Sequence, residues 1–405
     1  MPERGRADAS RRGHGARAVG GLGLVSGIAA AALRPVRLIR AARVLQDIQA
    51  GDGESSLKRT TPAPVVRQVA FDVAGVVRSG DLYGPATATE AGIVLVPGAA
   101  RLGKDDPRVR ALATSFARAG IEVLVPEFPG FRGLRVCARD ASVVSDGLVA
   151  LSRHRAVCGS RKVGLVAVSY TVGPALLALL SPAAGAACHV VLAIGGYYDM
   201  EAAIAFFTTG CHRDPAEEDW RCRQPDPYAK WVFAISNAPF LDDPDDGAVL
   251  EAMARRRLDD PAADVSGLVA VLKGGGRAVR DLLENVDPDR VRGLIAALPP
   301  GVREQIAALS LKGRDLSVLH QKFIVVHGRD DPLLPESGSA ELASALPSAE
   351  LFLLGSLHHV DPGPAGLMDK LRMLAAMNAF LSEACRTTPA APDIADSPFR
   401  PLATG

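Results

Sequence analysis

The feature that most constrains this chain is a series of short apolar runs, each followed by a stretch of helical periodicity. The runs are AGIVLVPG (91–98), IEVLVPEF (121–128), KVGLVAVS (162–169), HVVLAIGG (189–196), FIVVHG (323–328) and ELFLL (350–354). A strand with one wet face alternates polar and apolar residues, whereas a run that is apolar almost throughout has both faces covered. Helical patterns over 106–119, 140–151, from Tyr170, 336–346 and 367–383 separate the runs, which predicts a doubly wound, mostly parallel α/β sheet. Residues 65–77 with the turn Arg78-Ser79-Gly80-Asp81 predict an antiparallel hairpin ahead of it.

The alternation stops after Gly196 and resumes at about residue 322. Between them the spacing predicts helices only. Asp243-Pro244 and Asp287-Pro288 read as helix starts, and Val291, Leu294, Ile295 and Leu298 share one apolar helix face. The expected organisation is a core made of 62–196 and 322–386, a helical cap over 197–321 inserted before the penultimate strand, and a loose tail over 387–405. Gly274-Gly275-Gly276 follows no strand and reads as a loop, not a phosphate cradle. The insertion must emerge over the carboxyl edge of the sheet, where ligands enter such folds. In a chain only 5% aromatic, Phe206, Phe207 and Trp231 in this insertion are expected to line the entrance.

Residues 1–61 hold eleven basic and five acidic side chains, against 35 and 40 in the remainder. A body acidic overall excludes a protein built on nucleic-acid phosphates. The uncharged stretch 18–33 follows Arg4, Arg6, Arg11, Arg12 and Arg17, the polarity of a signal peptide, and Ser10-Arg11-Arg12 resembles a twin-arginine signal. Sixteen residues are short for a span, which needs roughly 20. Arg34, Arg37, Arg40 and Arg43 then interleave with apolar residues, and the stripe Leu38, Ala41, Ala42, Leu45 suits either a lipid surface or a protein groove. Residues 18–48 are thus a candidate membrane-surface element or a removable leader, 51–64 a polar linker, and the folded body begins near Val65. This leaves a membrane-associated or exported protein, or otherwise a cytoplasmic one. Six scattered cysteines form no disulfide scaffold. Cys211 and Cys222 are a candidate bridge, and with His212 a weak candidate metal set.

Ser169 ends one of the apolar strands and opens a helix, in Ala167-Val168-Ser169-Tyr170-Thr171-Val172-Gly173. A serine on such a turn projects its hydroxyl above the carboxyl edge of the sheet, beside the free N–H groups of the helix start. Here the chain resembles the α/β-hydrolase superfamily, over about 65–383. The family's elbow is G-x-S-x-G, with Ala167 and Thr171 at the flanking positions in this chain. His327-Gly328-Arg329-Asp330-Asp331-Pro332 resembles the family's H-G-x-x-D stretch, which implies Asp331, not its neighbour Asp330, as the acid. Asp199 is an alternative acid, read first as a structural turn. The loop after the last strand, Gly355-Ser356-Leu357-His358-His359-Val360-Asp361, implies a base. His359 is preferred, since His-Val-Asp resembles the turn of some bacterial members, while His358 fits a G-x-x-H spacing. Pro97-Gly98-Ala99-Ala100 resembles the family's oxyanion turn and implies backbone donors at Ala99 and Tyr170.

The resemblance implies a serine hydrolase cleaving an ester, thioester or related acyl bond of a small-molecule substrate, with no cofactor and no metal. Thr171 and Pro97 keep open a catalytically silent acyl-ligand-binding homologue, and an acyltransferase is the other alternative.

Overall fold

The computed structural model describes residues 20–86, 89–157, 163–213, 217, 219–355, 357–359, 361–362, 366–386 and 397–402. Nine strands among them join in one sheet: β1 (Val65–Val73), β2 (Val76–Gly84), β3 (Ala91–Val96), β4 (Ile121–Pro126), β5 (Val163–Val168), β6 (Cys188–Ile194), β7 (Lys322–Gly328), β8 (Ala349–Leu354) and β9 (Phe399–Pro401). The order is β8-β7-β6-β5-β3-β4-β2-β1-β9. Strands β8 through β4 are parallel, and β2, β1 and β9 add antiparallel.

The hairpin β1–β2 turns at Ala74 and Gly75, with φ of 53° and 82°, not at Arg78–Asp81, which lie inside β2. Two successive left-handed residues make the two-residue turn whose twist matches that of paired strands. Strand β9 corrects the expectation of a wholly loose tail. Phe399 packs edge-on against Phe71 at 5.8 Å, and Ser397 Oγ lies 2.8 Å from His154 Nδ1.

Helices α3 (Pro107–Arg118), α4 (Asp140–Val157), α5 (Val172–Leu179), α12 (Glu336–Ala345) and α13 (Leu367–Ala384) cover the sheet. Alternate residues of each central strand feed the two faces. Val94, Leu165 and Val325 pack with α4, α5 and α12, while Ile93, Val166 and Ile324 pack with α3 and α13.

Helix α1 (Gly20–Ala50) also belongs to the second face. Ala41 and Val44 are fully buried, and Leu45 and Ile48 pack beside them. The stripe in use is therefore Ala41-Val44-Leu45-Ile48, with Leu38 and Ala42 left exposed. Residues 51–64, expected to be a linker, contain α2 (Ser56–Thr60) with Leu57 buried. The buried Asp47 carboxylate accepts hydrogen bonds from Ser55 Oγ and from Ser115 Oγ of α3 (2.7 Å). The folded body thus begins at about Arg40, because a buried carboxylate must be satisfied and its partners lie on both sides of the supposed boundary. Among the described residues no helix is long and apolar enough to cross a membrane. The basic and twin-arginine expectations on residues 1–19 lie outside the described residues.

Between β6 and β7 lie α6 (Met200–Thr209), α7 (Tyr228–Asn237), α8 (Pro244–Asp259), α9 (Gly274–Glu284), α10 (Val291–Ala296) and α11 (Pro300–Leu309). They share their own apolar core, to which Val291, Ile295 and Leu298 contribute. Asp243 caps α8 as its sequence suggests, accepting from the amide of Asp245 at 2.9 Å. The three glycines at 274–276 are not a loop but the first turn of α9. The buried Asp246 carboxylate accepts from the amides of Lys273 (2.8 Å) and Gly276, a cap supplied by a neighbouring helix that offsets the poor helix propensity of glycine. Two-residue strands Cys211–His212 and Arg221–Cys222 pair within a region expected to hold helices alone.

Candidate active site

Ser169 has φ of +63°, a left-handed conformation that a non-glycine residue adopts only where its surroundings impose it. The chain turns from β5 through a 3-10 turn, Ser169–Thr171, into α5. This sharp turn lifts the serine hydroxyl clear of the sheet and leaves the first amides of the turn without intrahelical partners. Thr171 fits without strain on the turn: it is fully buried and its hydroxyl donates to Val168 O at 2.8 Å. The close approach falls two residues later, at Gly173, where a Cβ would lie 1.9 Å from the Tyr197 hydroxyl.

Three sheet-edge loops converge on the hydroxyl. His359 Nε2 lies 2.6 Å from Ser169 Oγ, and His359 Nδ1 lies 2.8 Å from Asp331 Oδ2. Asp331 is fully buried and its carboxylate is saturated. Oδ1 accepts from the amides of Leu333 (2.8 Å) and Leu334 (3.1 Å), and a second imidazole, His327, approaches Oδ2 to 3.3 Å. Burial works to raise the Asp331 pKa, but hydrogen bonds from His327 and His359, with their charge, outweigh it and hold the carboxyl well below the usual carboxylate range. Gly195, at φ of +62°, passes behind the pair, where a Cβ would stand 3.5 Å from His359 Nδ1. The turn after β3 closes the fourth side, with Gly98 against Ser169 and Ala99 beside Tyr170 on the cavity wall.

No protein-family model matches the sequence, and no curated protein resembles it in sequence. Among solved structures, a Legionella pneumophila protein provisionally assigned as a hydrolase superposes with a TM-score of 0.50 at 12% identity, over 82% of this chain and 93% of that one. The chain has the α/β-hydrolase fold. Two other structures of this α/β-hydrolase set align at lower scores. A 2-hydroxy-6-oxo-6-phenylhexa-2,4-dienoate hydrolase from Rhodococcus gives TM-score 0.36 at 17% identity, covering 80% of this chain and 100% of that one. Pyrococcus horikoshii acylaminoacyl peptidase gives 0.45 at 12% identity, covering 82% and 43%.

On this hydrolase fold the other sequence candidates separate cleanly. Asp330 is exposed, and Asp199 caps α6 and pairs with Lys312 at 2.7 Å, a structural role. His358 lies in a two-residue strand, Leu357–His358, paired with Asp361–Pro362. Cys211 and Cys222 are joined as a disulfide, which consumes both thiols and removes them from any metal set with His212. Among the described residues no group of three or more His, Cys, Asp or Glu side chains is arranged to hold a metal.

A cavity of about 970 Å³ opens beside Ser169, lined in part by Phe207, Tyr228 and Val232 from the cap. Phe206 and Trp231, expected at its entrance, do not line it. Residues 228, 229 and 232 define the face of α7 turned to the cavity, and Trp231 sits roughly 100° around the helix from it, at 100° per residue. Phe206 is fully buried beneath the Arg223 guanidinium, 4.8 Å from its ring centre.

That guanidinium is a functional candidate for which the sequence carries no signal beyond its place next to Cys222. It donates to the carbonyls of Arg329 (3.1 Å) and Asp331 (2.9 Å) and to the Glu336 carboxylate (2.9 Å), so the cap grips the loop that carries Asp331. Removing it in Arg223→Ala is expected to lower kcat about 10- to 100-fold with little change in KM, since the loss is one of alignment. Steady-state kinetics on a short ester would check this, and a wild-type kcat would show that the acid loop holds itself.

Proposed function

We propose that this protein is a serine hydrolase that cleaves an ester, thioester or related acyl bond through an acyl-enzyme on Ser169. The observation that carries the reading is the continuous chain of contacts from Ser169 Oγ through His359 to the buried Asp331, built on a serine held at positive φ.

Ser169 Oγ attacks the substrate carbonyl carbon as its proton passes to His359 Nε2. Asp331 fixes the imidazole with Nδ1–H toward itself and stabilises the imidazolium. The carbonyl oxygen, now anionic, is received by the amides of Tyr170 and Ala99, donors of a kind worth roughly 3 to 4 kcal/mol each in the transition state. The tetrahedral intermediate collapses, the carbon–heteroatom bond breaks, and the leaving group takes the proton from His359. Water then repeats the sequence on the acyl-enzyme, giving a carboxylic acid and free serine. The mainly aliphatic cavity wall favours apolar acyl groups over small charged ones.

A fluorophosphonate probe is expected to label the wild-type protein and to spare Ser169→Ala, read by intact-mass spectrometry. Labelling that persists in the variant overturns the assignment.

A further inference from the structure

The cavity beside Ser169 has two sides of different chemistry. Toward the cap its wall includes the aromatic residues Phe207 and Tyr228. On the other side it runs between α1, α3 and α13, over a floor of Leu95, Leu192, Ile194 and Val326. Here the walls are mainly aliphatic: Leu45 and Ile48 of α1, Val109 and Leu112 of α3, Met373 and Met377 of α13, with Gln49 and Arg108 also on the lining. Helix α1 is therefore more than a strap across the outside of the body. Its last turn, from Leu45 to Gln49, runs along the compartment for about 6 Å at 1.5 Å per residue, and Gly51 and Asp52 beyond the helix follow at the rim.

Three helices that present Leu, Ile, Val and Met to one another ordinarily close into a packed core. These leave open volume that reaches the reactive serine, while the neighbouring residues Ala41 and Val44 on the same helix are packed without exposure. The helix is thus docked firmly at one point and held away from the sheet at the next. The dock is reinforced where Asp47 is tied to Ser55 and Ser115, so the opening is built into the packing. Flexible thioether side chains on the far wall can adapt to an occupant of variable shape.

We infer that this compartment seats the acyl chain of the substrate, that the preferred chain is a linear aliphatic one, and that α1 is a specificity wall of the site. The inference rests on Ser169 being the nucleophile. The chain is assigned to the acyl side because the leaving group must depart while the acyl group remains bonded to Ser169. A compartment enclosed by three helices suits the part that stays.

The test is kcat/KM of the full chain on p-nitrophenyl acetate, butyrate, octanoate and dodecanoate, with Ser169 labelling by fluorophosphonate run in parallel. Each methylene buried in such a compartment is expected to raise kcat/KM by up to about fourfold until the compartment is full. Ile48→Trp, which narrows it, should lower the octanoate-to-acetate ratio at least tenfold. Ile48→Ala, which enlarges it and is the milder change should the tryptophan variant misfold, should move the optimum to longer chains. A labelled enzyme whose wild-type profile is flat or favours acetate overturns the inference, as does an Ile48→Ala profile that matches the wild type. Absence of labelling at Ser169 would instead overturn the reading of the nucleophile, so the two failures are told apart.

Discussion

Replacing His359 by Ala is expected to lower turnover by about six orders of magnitude, the scale seen when the base of a serine, histidine and aspartate set is removed. Without the imidazole no other side chain among the described residues stands within hydrogen-bonding distance of Ser169 Oγ to take its proton, and the proposed oxyanion donors alone would sustain only a residual rate. His358→Ala, one residue earlier, should change turnover by no more than a few fold. The contrast arises from backbone geometry. His358 belongs to the small strand pair with Asp361–Pro362, while His359 follows it in a left-handed conformation, φ of 57°, that brings its ring to both Ser169 and Asp331. Initial rates on a p-nitrophenyl ester measure both variants. The reverse ranking would move the base to His358.

The core was legible because its parallel strands are buried on both faces, so that each reads as an uninterrupted apolar run. All six runs from 91–98 to 350–354 correspond to strands within a few residues. The serine turn was legible for a related reason, since a strand that ends in serine and passes directly into a helix leaves few conformations for the residue at the junction. The errors came where a local pattern has two physical outlets. Ser79-Gly80 is turn-like in composition, yet Ala74-Gly75 forms the turn. Gly80 instead lies in β2 against the backbone of Val125 and Pro126. Apolar residues every three or four positions in α1 suit a membrane surface as well as a protein groove, and only the partners on α3 and α13 decide that Ala41 and Val44 face inward. Phe206 and Trp231 were placed by composition, and composition does not say which side of a helix meets the cavity. Arg223 acts through the carbonyls of Arg329 and Asp331 and the Glu336 carboxylate, more than a hundred residues away in sequence, contacts that no local spacing encodes.

The second large effect is expected from Asp331→Asn. Here the surroundings decide which way the new amide must face. Two backbone amides, of Leu333 and Leu334, donate to Oδ1, so the amide oxygen takes that place and the NH₂ group falls where Oδ2 met His359 and His327. An amide donor against His359 Nδ1 selects the tautomer with the proton on Nε2. That nitrogen can then no longer accept the serine proton. Turnover should fall by about 10⁴-fold, while the shape of the site is kept and an apolar acyl ligand still binds. Stability should respond to pH in a direction fixed by the same contacts. Asp331 has a depressed pKa in the folded protein, so its stabilising contribution is fully present above the unfolded-state value of about 3.9 and is lost as pH falls toward the folded-state value. Asparagine does not titrate. The difference in unfolding free energy between wild type and variant should therefore shrink as the solution is acidified below about pH 4, as denaturant melts at a series of pH values would show. A difference that does not narrow below pH 4 would mean that Asp331 is not held as a carboxylate by its two histidines, and the tautomer argument would fall with it.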